Sequence, residues 1–324
     1  MPDRPAATAR ADSTVAQHSP AHGAHEPRSR LLAAFAAVYI VWGSTYLAIR
    51  YSVETIPPFL MGGSRFLVSG AVLVAWARLR GAPKPSARAW RDATIAGALM
   101  LCGGNGAVAW AEQRVASSIA ALLVAVVPLW MVLIDWLRPH GTRPRLGAVM
   151  GIAIGLGGLY LLIGPDAVSG GGGAEAIGSI VLILGSLSWA AGSIYSRYGT
   201  QPPSAALTTG MQMLGGSVGL ILLSLVVGEF RDFRPSAVST ASTLGWVYLV
   251  TFGSLVGFTA YIYLLRVTTP AKAATYAYVN PLVAVFLGWA IAGEPITART
   301  LIAAAVILAG VAMITLGQAV EMSH

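Results

Sequence analysis

The sequence predicts an all-α integral membrane protein: ten transmembrane helices arranged as two inverted five-helix repeats, with the N- and C-termini cytoplasmic. Three observations predict it. Of 324 residues, 56% are hydrophobic and only 10% charged, and the mean hydropathy is +0.68. A soluble chain is about a quarter charged, so this one lacks the solvated groups to cover its own surface, and its hydrophobicity excludes disorder. The apolar residues also fall into ten stretches near spanning length, and landmark residues of the first five recur in order in the last five.

Residues 1–30 carry Pro, Ala, His and scattered charge, without an apolar core followed by a small-residue cleavage site. They read as a disordered cytoplasmic tail rather than a cleaved signal, and His18, His22 and His25 as solvated residues rather than a metal site. A hydrocarbon core of about 30 Å takes about 20 apolar residues at 1.5 Å each. The stretches that approach this are 31–49, 59–79, 93–110, 115–136 and 145–163, then 176–196, 204–227, 243–265, 270–292 and 298–318. The first five make a repeat over 31–163 and the last five a second over 176–318. Between them, 164–175 holds four consecutive glycines at 170–173 and no Lys or Arg, a flexible linker. Residues 319–324 are a C-terminal tail.

Orientation follows from the basic residues. With the N-terminus inside, cytoplasmic segments hold 15 of the 21 Lys and Arg, with 5 on the other side and Arg65 alone within a helix. That excess is the positive-inside signal. It accounts for the net charge of +8 without a basic patch for nucleic acid. The single cysteine, Cys102, is silent on redox compartment, and nothing sets an oligomeric state.

The repeat is read from spacing. Trp42 and Arg50-Tyr51 recur as Trp189 and Arg197-Tyr198 at an offset of 147, and Pro57-Pro58 recurs as Pro202-Pro203. Arg114-Val115 recurs as Arg266-Val267, and Pro128, Trp136 and Gly157 recur as Pro281, Trp289 and Gly310 at an offset of 153. Five helices is an odd number, so the second unit enters the membrane from the opposite side. Inverted repeats are typical of secondary transporters.

Several activities are excluded by missing residues. Neither lysine, Lys84 or Lys272, stands in a Walker A motif. Gly215-Gly-Ser217-Val-Gly219 matches the nucleophile elbow, but every histidine lies in a tail or loop, so Ser217 reads as helix packing. No metal-ligand set stands in the sequence, and neither an enzyme nor a cofactor is expected.

The candidate cavity residues are polar or aromatic groups deep in the helices. Arg65 shares a small, polar face with Pro58, Gly62 and Ser69. A charge at that depth faces the bundle interior or a wet cavity, where it attracts an anionic or carboxylate-bearing substrate or ties down Glu112 or a helix end. Trp42, Ser44 and Thr45 in helix 1 and Trp189 and Ser193 in helix 6 lie too deep for an interfacial aromatic belt. Pro128 and Pro281 are expected to kink helices 4 and 9, each freeing a carbonyl. Asn280, with Tyr276 a turn earlier, then bonds that carbonyl or a substrate. Asn105 and Gln212 are further polar candidates. Asp135 is read as a local ion pair with Arg138 or a proton-coupling group. Gly151/Gly155, Gly215/Gly219 and Gly253/Gly257 are read as packing alone.

The chain resembles the EamA family of the drug/metabolite transporter superfamily over residues 31–318. The signals are Trp42-Gly-Ser-Thr45, Arg65-Phe66, the run from Ser117 to Pro128, Tyr276-Ala-Tyr-Val-Asn-Pro281, and Gly293-Glu294 before a last helix containing Gly310. Gly293-Glu294 departs from the repeat, because His140-Gly141 stands at the related place; Glu294 is expected to cap helix 10. The helix 9 run is similar to that of poorly characterised bacterial inner-membrane permeases. The resemblance implies a multi-pass protein of the bacterial inner membrane, a central cavity between the repeats and alternating access. It implies export of small metabolites, amino acids or amphipathic compounds, with the proton as a family-level coupling ion. A lipid or nucleotide-sugar carrier is the alternative cargo reading, and a membrane scaffold or enzyme the alternative class.

Overall fold

The computed structural model describes residues 28–138, 146–163, 173–268 and 273–319. Nearly all of the N-terminal tail and most of the glycine linker lie outside the described residues, as do the last five residues and all five histidines.

Among the described residues every regular element is helical. The long helices are α1 (Arg28–Ser52), α2 (Pro58–Leu79), α3 (Ala87–Ala111), α4 (Ser117–Leu137), α5 (Leu146–Ile163), α6 (Ala174–Tyr198), α7 (Ala205–Val226), α8 (Thr240–Val267), α9 (Tyr276–Ala292) and α10 (Ala298–Ala319). Seven of them are long and apolar enough to cross a membrane. In α5, α9 and α10 the apolar stretches are shorter, at Val149–Gly158, Val279–Ala292 and Ala298–Gly310.

Local chemistry sets the ends. Pro58 stands in the first turn of α2, where its missing N–H costs nothing, and Gly81 takes a positive φ of 83° just past its end. Ser86 caps α3 by accepting from the Ala89 N–H, so this helix starts six residues before its apolar stretch. Ser204 and Ser239 cap α7 and α8 in the same way.

The helices pack in related sets. α2 lies along α7, and α5 along α10. The contact of α1 with α9 is matched by α6 with α4, that of α3 with α6 by α8 with α1, and that of α3 with α7 by α8 with α2. Large apolar side chains face outward, among them Val72, Trp76, Leu184, Leu222 and Phe286. So continuous an apolar exterior suits hydrocarbon rather than water.

Two irregularities bear on the interior. α3 and α8 both wind into π-helix, over Ala98–Asn105 and Leu249–Phe258, and α1 does so over Ala37–Val41; π segments concentrate at functional sites. α4 is broken by a turn at Ala125-Val126, so Pro128 sits in the first turn of its second segment, Val127–Leu137. Pro281 instead stands inside continuous α9. The two sequence-related prolines therefore occupy different local structures.

Candidate functional site

Helices α1, α2, α3, α4, α6, α8 and α9 line a cavity of about 60 Å³ at the centre of the bundle. Its aromatic wall is built around Trp42. The Trp42 ring stands edge-on to Trp189 at 5.5 Å, Phe258 at 5.3 Å and Tyr276 at 5.3 Å, and tilted against Tyr261 at 4.9 Å. Such edge-to-face pairs are favoured by the ring quadrupole. The Trp42 indole donates to the Gly253 carbonyl at 3.1 Å, which fixes the ring against the π segment of α8. The Trp189 Nε1 lies beside the Tyr261 and Tyr276 hydroxyls but makes no hydrogen bond of ordinary geometry among the described residues.

Arg65 supplies the charge. It is 3% exposed and lines the cavity, with Nε donating to Ser254 Oγ at 2.8 Å and the guanidinium 4.7 Å from the Phe66 ring centre. Among the described residues it forms no ion pair. Gly253 makes room for it: a Cβ there would stand 2.8 Å from Arg65 Nη2. At Gly257 a Cβ would stand 2.4 Å from Trp42 Nε1. These two glycines thus seat cavity side chains, a role beyond the helix packing expected for them. Gly151 and Gly155 do pack helices, since a Cβ at Gly310 would meet Gly151 O and Gly155 N, each at 2.7 Å.

Of the expected cavity residues, Trp42, Thr45, Arg65 and Asn105 line this space, as do Trp189, Tyr276 and Asn280. Thr45 spends its hydroxyl on the Trp42 carbonyl at 2.7 Å. The Asn280 amide, in the orientation that satisfies its surroundings, donates to the Tyr39 and Tyr276 carbonyls at 3.1 and 3.2 Å. It ties α9 to α1 across the wall. Ser44 and Ser193 are not in the lining. Ser44 turns to α8, bonding the Tyr248 hydroxyl at 2.6 Å, and Ser193 sits behind the wall, bonding the Tyr261 hydroxyl at 2.9 Å. The lining also includes Tyr46, Ile49, Val108, Ser186 and Phe258. Phe258 had a legible signal: it follows Asn105 by the repeat offset of 153. The others had none, being ordinary residues on helix faces.

Elsewhere, Gln212 donates to Ser196 Oγ at 2.7 Å, Asp135 pairs with Arg138 at 3.1 Å, and the Ser217 hydroxyl donates to the Leu214 carbonyl of its own helix. Glu294 does not cap α10, whose first turn is capped by Thr297 accepting from the Thr300 N–H. It instead caps α4, accepting from the Ser117 N–H and hydroxyl at 3.0 and 2.7 Å and from the Ser118 N–H at 3.1 Å. Its carboxylate also pairs with Arg50 at 3.3 Å. The reason is geometric: the turn after α9 folds toward the bare N–H groups of α4, which attract a carboxylate more than a side-chain hydroxyl can.

Comparison with known proteins adds the family. Residues 29–164 and 176–316 each match the model of the EamA-like transporter family. The "Uncharacterized inner membrane transporter YedA" of Escherichia coli K12 is 41% identical over 289 residues, 89% of this chain and 91% of that protein. The "Probable terminal-alkyne amino-acid exporter" of Streptantibioticus cattleyicolor is 27% identical over 309 residues, 91% of this chain and 97% of that protein. A solved structure described as "Crystal structure of protein" superposes with a TM-score of 0.64 at 24% identity, covering 90% of this chain and 98% of the other, and shares the fold.

Proposed function

The chain belongs to the EamA-like transporter family, and on that premise we propose that it is a secondary-active exporter of the bacterial inner membrane. It moves small carboxylate-bearing metabolites, amino acids or amphipathic compounds by alternating access through the central cavity. All ten long helices span the membrane, as two inverted repeats over 31–163 and 176–318 joined by the linker at 164–175, with both termini cytoplasmic. The related helix pairings described above support this arrangement.

One observation carries the substrate class: a buried guanidinium with no carboxylate partner among the described residues, aimed at an aromatic-walled cavity. A charge in that setting is costly and is kept where it meets a ligand or water. Arg binds carboxylates through its planar fork, and Trp42, Trp189 and Tyr276 offer an apolar wall to the rest of the molecule. The proposed contacts are Arg65 to the anionic group, with Thr45, Asn105, Trp189, Tyr276 and Asn280 around it and Ser44 and Ser193 holding the wall from behind. The fold uses no cofactor in this reading.

A metabolite-accumulation and toxicity screen tests the function. Cells expressing the protein should accumulate less of at least one carboxylate-bearing compound than cells with empty vector; no difference for any compound would end the exporter reading. Topology is tested separately with phosphatase and fluorescent-protein fusions. Both ends should give the cytoplasmic signal, and an external C-terminus would contradict ten spans.

A further inference from the structure

A second cluster lies at the end of the bundle where α1 and α3 finish and α4 begins. Glu112 closes α3 there, 4% exposed, and neither carboxyl oxygen makes a hydrogen bond of ordinary geometry among the described residues. Beside it is Glu294, also buried, with its oxygens already engaged by Ser117, Ser118 and Arg50. One cation thus faces two buried carboxylates, and it is committed to the better-bonded one. A second pocket, lined by Arg50, Glu54, Glu112, Gln113 and Arg114, opens at this end. On its other side, Glu112 stands one helical turn beyond Val108 of the central cavity. The repeat-related residue at the opposite end is Leu265, so the repeat does not duplicate this acid.

We propose that Glu112 is the proton-carrying group of this transporter, protonated while the Glu294–Arg50–Ser117 contact is closed and ionised when that contact opens. The proposal rests on the transport reading above and on its orientation, which puts this end on the non-cytoplasmic side. As the contact closes, the carboxylate takes a proton from water in the outer pocket, forming its O–H bond, so the proton enters from outside. On reopening, that bond breaks and any proton still held returns to that water. The carboxylate left behind is then met by solvent and by Arg50 released from Glu294. A like-charged neighbour and burial both disfavour a second carboxylate in the closed form.

The groups facing Glu112 pull in both directions, and those that favour the neutral carboxyl win. Burial first, then the charge of Glu294, hold its carboxyl well above the usual carboxylate range, with the charge and backbone N–H of Arg50 acting the other way. Burial alone would raise Glu294 too, but the bonds from Ser117 and Ser118 outweigh it and hold that group below the usual range. Tyr46 from α1, Glu54 from the following turn and Arg114 from the α3–α4 turn complete the charged and titratable surroundings. A group whose pKa is raised in the closed form favours that form at low pH and loses the advantage as pH rises through the raised value. Acid should therefore close this end and alkali open it.

The test is cysteine accessibility in a Cys102→Ala, Val108→Cys protein in right-side-out membranes, using a membrane-impermeant maleimide. Rates are normalised to the same thiol after denaturation, which removes the intrinsic pH dependence of the thiol. Normalised labelling should rise by about tenfold from mildly acidic to mildly alkaline pH, the change that one proton linked to opening gives over about one pH unit. It should stay low and flat when Glu112→Gln is added, and Glu112→Asp should restore the slope. Glu112→Ser, a smaller neutral replacement, carries the same expectation if the Gln variant is not monodisperse on size exclusion. A pH-independent parent, or a neutral variant that keeps the parent's slope, overturns the proposal. Failure of the transport reading would appear elsewhere, as an export screen without a hit.

Discussion

Replacing Arg65 with Ala should lower export of a carboxylate-bearing substrate by at least about thirtyfold while the protein still folds, since truncating one partner of a buried charged pair costs about 2–5 kcal/mol. Two features make the loss fall on transport. The guanidinium has no ion pair to leave behind among the described residues, so its removal strands no buried carboxylate. It also relieves the cost of a desolvated cation, which offsets the packing lost against Phe66. Ser254 is the one hydroxyl seen to lose a partner. Arg65→Lys should keep part of the activity, because a point charge attracts an anion without the bidentate fork. The check is efflux of the strongest compound from the screen, with a thermal melt to show that each variant is folded. Export at the wild-type rate by a folded Arg65→Ala protein would remove Arg65 from substrate binding.

Gly97→Ala should be the most damaging of the small substitutions. A Cβ at Gly97 would stand 2.0 Å from the Gln212 carbonyl oxygen, 2.8 Å from its carbon and 3.0 Å from the Gly216 nitrogen. All three are backbone atoms of α7, so no side chain can swing aside and the two helices must part. The contact is reciprocal, since a Cβ at Gly216 would come 2.7 Å from the Gly97 carbonyl. Close approach through small residues is the main attraction between helices where the solvent is itself apolar. Overpacking costs about 1–3 kcal/mol and occasionally more. The melting temperature in detergent should fall by about 2–12 °C, at about 2–4 °C per kcal/mol for chains somewhat shorter than this. Gly147→Ala in α5 is the control, with nothing within 4 Å of its added carbon; it should melt with the wild type. A Gly97→Ala protein as stable as this control would show that α3 and α7 are not in close contact.

The wall of the cavity was legible where a residue is costly in its setting. Trp42, Trp189, Arg65 and Asn280 stand out because polar or interfacial groups deep in an apolar helix need a reason. Ile49, Val108 and Ser186 gave no such signal, as each would serve equally well facing a neighbouring helix. Ser44 shows the opposite error. It lies in the same run as Trp42 and Thr45, but its hydroxyl is turned to Tyr248 on α8. Helical spacing fixes which residues share a face; it does not say which partner that face meets.

Glu112 and Glu294 mark the boundary most clearly. Each sits just beyond the end of a helix, 182 positions apart; in sequence Glu112 reads as a group for Arg65 to tie down and Glu294 as the cap of helix 10. The sequence by itself determined an all-helical membrane protein with a repeated plan, because apolar length, charge asymmetry and offset are one-dimensional properties. Only the tertiary structure decided that Arg50 would pair with Glu294 beside a second buried acid, and that Arg65 would form no ion pair among the described residues. Those outcomes depend on which helix ends converge, and in a bundle closed by backbone contacts such as Gly97 on Gln212, convergence is set by packing across the two halves rather than by any local pattern.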